Sequence, residues 1–567
     1  MAAIGIDFGT TNSVVAVHTT SGVDVLPIDQ APPSWAPYGF DNVFPSVMAK
    51  DEASRLCFGW EAKQKSGGRV DAVKRMFATQ LDYTVDDSGD ALAVEEVATM
   101  LFAELRRRAI AAGVTADQAV ITGPANSKGR ARHRTKLCAG MAGFEVIALI
   151  NEPTAAAMAY AQRHPEVRQL LVFDWGGGTL DVTVLQSIDG VFIEQASKGL
   201  PRSGGIDFDS HLEKIVRDSI PGLDQLNPEQ RHHLRLEVEL AKIRLSTAEA
   251  TSIELPDGQS FRITRSRFEQ EVRGLIEESR IPLEQCLKDL QIGPGAIDAL
   301  VLVGGTCRIP AVRKFVEGII GVEADPDINP MTAVGEGAAI AAGILSGEIE
   351  NSDFFVCLEH ALGTFIFDQN TGDEFSTIIR KGNKLPARAS GEYFPIVPTS
   401  DSVNVRVVEG DPDSLQQDFE VLKEWEVQLT APYEEGSRRA FELQYEYDVD
   451  GILHVRATDI DSGIVLLDDD VAYGIATDKR QLKTMSDRAK SAVDEGVMSA
   501  SASVTLADPE ASKLIEQSRV KVIPFLDSDE AGPISAAVAA LESADSATVS
   551  AKKEELKRLL VPHSYLF

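Results

Sequence analysis

The chain is poor in cysteine. Five stand among 567 residues, Cys57, Cys138, Cys286, Cys307 and Cys357, with no C-x-x-C and no zinc-ligand spacing. That excludes a disulfide scaffold and reads as free, buried thiols in a reducing compartment. Positive charge is also scarce: 55 Lys and Arg against 87 Asp and Glu give a formal charge of −32. So acidic a surface argues against nucleic acid and anionic membranes as partners. No apolar run reaches the roughly 18 residues that a membrane helix needs. The first polar turn begins at Asp7, which leaves no room for a secretory leader, so the expected location is the cytoplasm. The G-x-x-x-x-G-K-[ST] phosphate loop is missing as well. The length is too great for one core and implies about two to four domains.

What the chain does have is a repeat. Ala2–Ile6 runs into Asp7-Phe8-Gly9-Thr10-Thr11-Asn12 and out through Ser13–Val17. Leu170–Phe173 runs into Asp174-Trp175-Gly176-Gly177-Gly178-Thr179 and out through Asp181–Leu185. Each is an apolar strand, an Asp, a Gly- and Thr-rich turn and a second strand, which suggests a two-lobed fold with a pseudo-repeat. Glycines let a backbone approach phosphate oxygens, successive N–H groups make an anion-binding concavity, and Thr hydroxyls add donors. Asp7 and Asp174, at strand ends facing a shared cleft, suit a hydrated Mg²⁺. The cleft is therefore expected to hold a nucleotide.

Other segments converge on it. Glu152 follows the apolar run Ile147–Ile150 and opens a helix, a good place for a carboxylate that orients water. Lys74 is a point charge suited to a γ-phosphate. Val303-Gly304-Gly305-Thr306 is another strand-to-glycine turn. Up to Gly347, strand-like runs alternate with helical patterns such as Glu95–Ala112 and Pro228–Arg244, as in α/β folds. Residues 348–357 are acidic, then apolar, and read as a connector that docks in one state and is released in another, or as the first strand of the next domain. Short strands follow. Phe441–Tyr447 is apolar at odd positions, and Val449-Asp450-Gly451 is a hairpin signal, which gives a β-sandwich-like module. From about Asp478 the chain turns helical, with Leu482, Met485, Ala489 and Val493 on one face. Further helices start at Asp508-Pro509 and end at Pro524, then span Ile534–Leu541 and Val549–Leu560.

These pieces closely resemble the seventy-kilodalton heat-shock chaperone family, DnaK-type. The matching segments are Ile4–Asn12, Ile150–Ala157, Asp174–Asp181, Gly204–Asp209, Ala241–Ser246, Gly304–Pro310 and, in the β module, Asp448–Val455. The resemblance implies a multidomain chain. Residues 1–347 would be an actin-like ATPase domain of two ribonuclease-H-like lobes, 348–357 a linker, 358–472 a β-sandwich substrate-binding domain and 473–567 a small α-helical lid. It implies a slow Mg-dependent ATPase with ATP or ADP and Mg²⁺ as cofactors and K⁺ as a further candidate. Gly9, Thr10, Thr11, Asn12, Gly177, Gly178 and Thr179 would cradle the phosphates. Asp7, Asp174 and Asp181 would hold Mg²⁺ largely through water. Lys74 and Glu152, with Asp7, Asp174 and Thr179, would carry hydrolysis. Glu239, Lys242, Ser246, Gly305 and Arg308 would bind adenosine, and Gly205 and Gly304 would belong to the same cofactor site. Pro124 and Arg132 would relay the nucleotide state. Phe365, Phe367, Ile396 and Val397 fall where peptide-contacting loops should be.

The implied function is an ATP-gated chaperone for extended hydrophobic segments of unfolded clients, with a J-domain protein and a nucleotide exchange factor as candidate partners. Several departures bear on this. Ile206 stands where the family usually has Glu, Cys307 where it has Thr or Gln, and Ala148 where a J-domain-contacting Arg is usual. The hairpin at Leu255–Arg262 is short, and the chain ends in His563–Phe567 without an acidic tail. They motivate an alternative, a nucleotide-responsive scaffold dedicated to one partner. A sugar kinase or filament on the same fold lacks support, since no catalytic Asp for a sugar hydroxyl stands out. A redox role for Cys307 rests only on its place beside the adenosine turn.

Overall fold

The computed structural model describes residues 3–51, 53–79, 81, 83–86, 91–114, 117–125, 127, 129–188, 191–200, 203–349, 358, 360–368, 372–395, 401–410, 412, 419–431, 440–448, 453–471, 479–498, 508–523, 526, 528–542, 544 and 548–566. Residues 350–357 of the connector, the turn 449–451, Ile396, Val397 and Pro524 lie outside them.

The sequence repeat is a repeat of wiring. Ile4–Phe8 pairs antiparallel with Asn12–Thr19, putting Asp7 opposite Val14. Gln118–Gly123 lies parallel beside the first strand, Glu145–Asn151 lies parallel beyond it, and Gly22–Val25 adds on the far side. In the second lobe Gln169–Trp175 pairs antiparallel with Leu180–Ile188, putting Asp174 opposite Asp181. Ala299–Val303 lies parallel to the first of these, and Val191–Leu200 adds on the far side. Leu170 to Phe173 are all 0% exposed, as expected of a central strand covered on both faces.

Small residues let the lobes meet. The Ala333–Leu345 helix packs on the Glu152–Ala161 helix and on strand Ile4–Phe8. A Cβ at Gly337 would lie 1.7 Å from the carbonyl oxygen of Ala155, and one at Gly5 would lie 2.1 Å from the Ala339 nitrogen. Only glycine permits that approach. Ala3, Ala155, Leu170 and Ala338 then share one apolar cluster between the two sheets.

The β module is two four-stranded sheets, Gly372–Ile379, Ala361–Asp368, Ser402–Gly410 and Glu420–Gln428 against Ala387–Tyr393, Phe441–Tyr447, Leu453–Asp459 and Val465–Val471. Phe441, Leu443, Tyr445 and Tyr447 all point into its core, as their alternation requires.

The helical tail packs against the first lobe. In the Lys479–Glu495 helix the expected apolar face is present, and Ala489 and Val493 bury it in the core of the first lobe, against the Val94–Ala111 helix. Arg488 binds Glu96, and Ser486 donates to the Met141 carbonyl oxygen at 2.7 Å. The Leu56 amide donates to Gly496 and the Met498 amide to Ser54, both at 2.8 Å, so the tail adds a strand-like rung to this lobe. Thr84 donates to Glu516 at 2.7 Å in a buried contact. The last helices form their own small core around Leu514, Ile534, Val538, Leu556 and Leu560. The helix expected over Ile534–Leu541 runs from Ser528 to Glu542 and carries Pro533 inside it. Burial of Ile534, Ala537, Val538 and Leu541 outweighs the one backbone bond that the proline forgoes. No helix among the described residues is long and apolar enough to cross a membrane.

Candidate nucleotide site

The two Gly-Thr turns face each other. A Cβ on Gly177 would meet the Thr11 side chain at 2.6 Å, and one on Gly204 would meet the Gly178 nitrogen at 2.4 Å. The first turn is braced from behind: Ser46 donates to the Gly9 carbonyl oxygen at 2.8 Å and bonds Ser13 at 2.9 Å. The second is braced by Thr306, which donates to the Gly176 carbonyl oxygen at 2.9 Å. Gly304 has φ +82° and passes close to the Trp175 carbonyl, which brings the third glycine turn alongside.

Between the turns lies a cavity of about 300 Å³. Thr10, Thr11, Asn12, Gly177 and Gly205 line one part of it, and Glu239, Lys242, Ser246, Gly305 and Arg308 line another. Two segments far apart in sequence thus share one wall. Gly9, Gly178, Thr179 and Gly304 shape the turns themselves. Two buried oxygens that face this space, Oδ1 of Asn12 and Oδ1 of Asp209, have no hydrogen-bond partner among the described residues. Orphaned buried acceptors are costly, and a polar ligand with donors would relieve them.

Beside the cavity sits a charge cluster. Lys74 donates to Glu152 at 2.7 Å, both nearly buried. Asp7 accepts from Thr122 at 3.1 Å. Burial, then the nearby Glu152, pushes Asp7 up to about 7, against the pull of Lys74. Asp174 is driven well above the carboxylate range by burial, then by Glu152, Asp181 and Asp7. Burial works against the Lys74 ammonium, but Glu152 and Asp7 outweigh it and raise its pKa. The cluster carries more negative charge than Lys74 balances, and a divalent cation would restore the ionised forms. No three His, Cys, Asp or Glu side chains among the described residues converge closely enough to bind a metal directly. The excess negative charge of Asp7, Asp174 and Asp181 is what a hydrated divalent ion would balance.

Pro124 and Arg132 lie on the segment that leads away from the site. Arg132 donates to the Asn151 side chain at 2.9 Å and to the Leu149 carbonyl oxygen at 3.2 Å, so it holds the strand end that carries Glu152. Pro124 follows the strand Gln118–Gly123 and closes a turn to Ser127. The helix Gly129–Met141 begins there, and its first amide donates to Glu409 of the β module at 2.9 Å. Phe365 and Phe367 lie on strand Ala361–Asp368 of that module, with Phe367 54% exposed. They are remote in sequence from every residue of the nucleotide cavity.

Side chains around the site also bond to one another. Lys63 donates to Glu239 at 2.8 Å, and Lys242 donates to Asp209 and to the Gly205 carbonyl oxygen, each at 2.8 Å. Arg308 donates to the Tyr38 carbonyl oxygen at 2.6 Å. Arg75 reaches the second turn, 2.7 Å from where a Cβ of Gly178 would stand. Of these, Lys63 belongs to none of the segments that point to this site, and Arg75 stands next to Lys74.

Comparison with known proteins agrees with this geometry. The Hsp70 protein family model matches residues 3–564. The chain is 33% identical over 481 residues to the chaperone protein DnaK of Thermotoga neapolitana, covering 81% of this chain and 78% of that one. It is 33% identical over 480 residues to the chaperone protein DnaK of Thermosipho africanus, with the same coverage. The twofold hairpin site and a match over nearly the whole length have one reading: the chain belongs to the Hsp70 family.

Proposed function

We propose that this protein is an ATP-driven chaperone whose slow ATPase gates the grip of its β module on extended apolar peptide segments. The two-lobed region up to Gly347 is the actin-like ATPase domain, the β-sandwich is the peptide domain, and the cytoplasm is its place of work. Thr10, Thr11, Asn12, Gly177 and Gly178 present their amides and hydroxyls to the phosphates. Lys242, Glu239 and Arg308 border the adenosine. Lys74 directs its ammonium at the γ-phosphate and the attacking water, and Glu152 keeps that ammonium charged and in place. Asp7, Asp174 and Asp181 would hold Mg²⁺ by way of its waters, and the ion would supply positive charge to the phosphate oxygens. The rest of the acceleration is positioning.

The observation that carries the gating is a bonded path. Glu409 of the β module caps the Gly129–Met141 helix, whose Arg132 holds the strand end of Glu152, which binds Lys74. A change in what Lys74 touches alters the strain on this path, and occupancy of either site biases the other by the same free energy. Nothing in the geometry favours the dedicated scaffold.

The test is dissociation of a fluorescent hydrophobic peptide in ADP and in ATP. Release should quicken in ATP, and Glu409→Ala should shrink that difference while leaving single-turnover hydrolysis intact. A wild-type protein that binds ATP tightly but holds no peptide in either state would refute the chaperone reading.

A further inference from the structure

Helix Pro228–Leu245 belongs to the second lobe, and the segment Gly59–Val70 belongs to the first. They meet on the wall of the nucleotide cavity at two points, seven residues apart along the helix. At one, Glu239 accepts the Lys63 ammonium. At the other, His232 Nδ1 stands 2.6 Å from Arg69 Nη1, and His232 Nε2 stands 3.0 Å from the Lys63 carbonyl oxygen. Arg69 and His232 are each only 9% exposed.

Donor rules fix the imidazole. A guanidinium only donates and a carbonyl only accepts. His232 must therefore accept at Nδ1 and donate from Nε2, which is the neutral form. Its surroundings agree: burial, then Arg69, holds its pKa down at about 4, with Arg235 adding to the effect and Asp71 opposing it. Arg69 itself is anchored within the first lobe, to Asp71 at 3.0 Å and to the Lys65 carbonyl oxygen at 2.9 Å. The bonds of Arg69 and Lys63 to His232 span the lobes at this point.

We infer that His232 is a positioning residue of the ATPase, an uncharged clasp that keeps the lobes closed on bound nucleotide and sets how fast ADP leaves. The inference rests on the nucleotide reading above and adds to it a residue that controls release. Nucleotide between two lobes leaves when they part, so each bond that spans them adds to the barrier. Lys63–Glu239 and Arg308–Tyr38 span them too. His232, unlike Glu239, carries no charge, so its bonds span the lobes without an ion pair.

Two variants separate the clasp from mere packing. His232→Ala removes both bonds. His232→Gln keeps an acceptor for Arg69 and a donor for the Lys63 carbonyl. Release of a fluorescently labelled ADP is followed by stopped flow, and hydrolysis by single turnover. His232→Ala should release ADP about 10- to 100-fold faster, the worth of one hydrogen bond to a charged group. His232→Gln should stay within about threefold of wild type, and hydrolysis should move less than about threefold in both. Equal acceleration in the two variants, or none in His232→Ala, overturns the clasp alone. If His232→Ala does not fold, the Gln variant and Arg69→Gln still decide it: slow release in the first with fast release in the second supports the clasp, and matching rates overturn it. A wild-type protein that retains no labelled ADP overturns the nucleotide reading and the clasp together.

Discussion

Arg488 and Glu96 tie the helical tail to the first lobe, with Nε–Oε1 at 3.1 Å and Nη2–Oε2 at 2.9 Å. The Glu96 side chain is 2% exposed and that of Arg488 is 32% exposed. Arg488→Ala strands a buried carboxylate. In a fully dry site that costs about 3–5 kcal/mol. Arg488 is partly solvated and screened, so the expected cost here is about 1–2 kcal/mol. The tail helix should then open about 5- to 30-fold more often. The assay is amide hydrogen exchange of Leu482–Val493, each variant compared with wild type at the same pH. The pH dependence has a definite sign. Burial already raises Glu96 above the ordinary 4.5, and Arg488 pulls it back. Without Arg488 the native pKa climbs further, so the docked state binds more protons than the open one. Its stability then falls as pH rises above 4.5 toward the raised native value. The penalty of Arg488→Ala should accordingly be larger at about pH 8 than at about pH 5. Adding Glu96→Gln should remove both the penalty and its pH dependence. Exchange equal to wild type at both pH values would refute the argument that this seam holds the tail. So would a penalty that the Gln leaves untouched.

Lys74→Ala should lower single-turnover hydrolysis about 100-fold or more, as loss of a donor to transition-state charge does, while labelled ADP still binds; unchanged hydrolysis would remove Lys74 from the mechanism. Gly337→Ala puts a methyl 1.7 Å from the Ala155 carbonyl oxygen and should cost about 3 kcal/mol, read as a lower midpoint for the lobes in thermal unfolding; an unchanged midpoint would contradict the close approach. Cys307 is 2% exposed, and burial, then Asp174, raises its thiol far above the usual range, so an alkylating reagent on the native protein should label the half-buried Cys57 well before it; prompt labelling of Cys307 by mass spectrometry would revive a redox role. His454 donates to Asp470 at 2.6 Å and lies 2.7 Å from Asp468, and the Asp470 bond raises its pKa. Its contribution to the β module is present in full below the ordinary 6.5 and is lost as pH rises through the raised native value. An NMR titration should find that value above 6.5 and find Asp470→Asn lowering it; a native value at or below 6.5 would sink the assignment.

The nucleotide hairpins, the twofold repeat and the alternating strand Phe441–Tyr447 were legible because each is local. An Asp, a glycine turn and two short strands state their chemistry within about twenty residues, and a period-two strand states which face is buried. The same holds for the Pro228–Leu245 helix, whose Asn227 cap and leading proline mark its start. In the tail, the pattern at Leu482, Met485, Ala489 and Val493 determined a helix and its apolar face. It left open what that face would meet, because an apolar stripe suits a β-sandwich and a neighbouring helix equally. Tertiary structure decided that, through Glu96, Met141 and the Ser54–Leu56 segment. His232 and Arg69 stand 163 residues apart, and neither belongs to a motif. A motif reports what a segment can do by itself. Which residues reach across a cleft depends on where two lobes come to rest, and that is settled by glycines at Gly5 and Gly337, whose missing side chains set the spacing of everything packed above them.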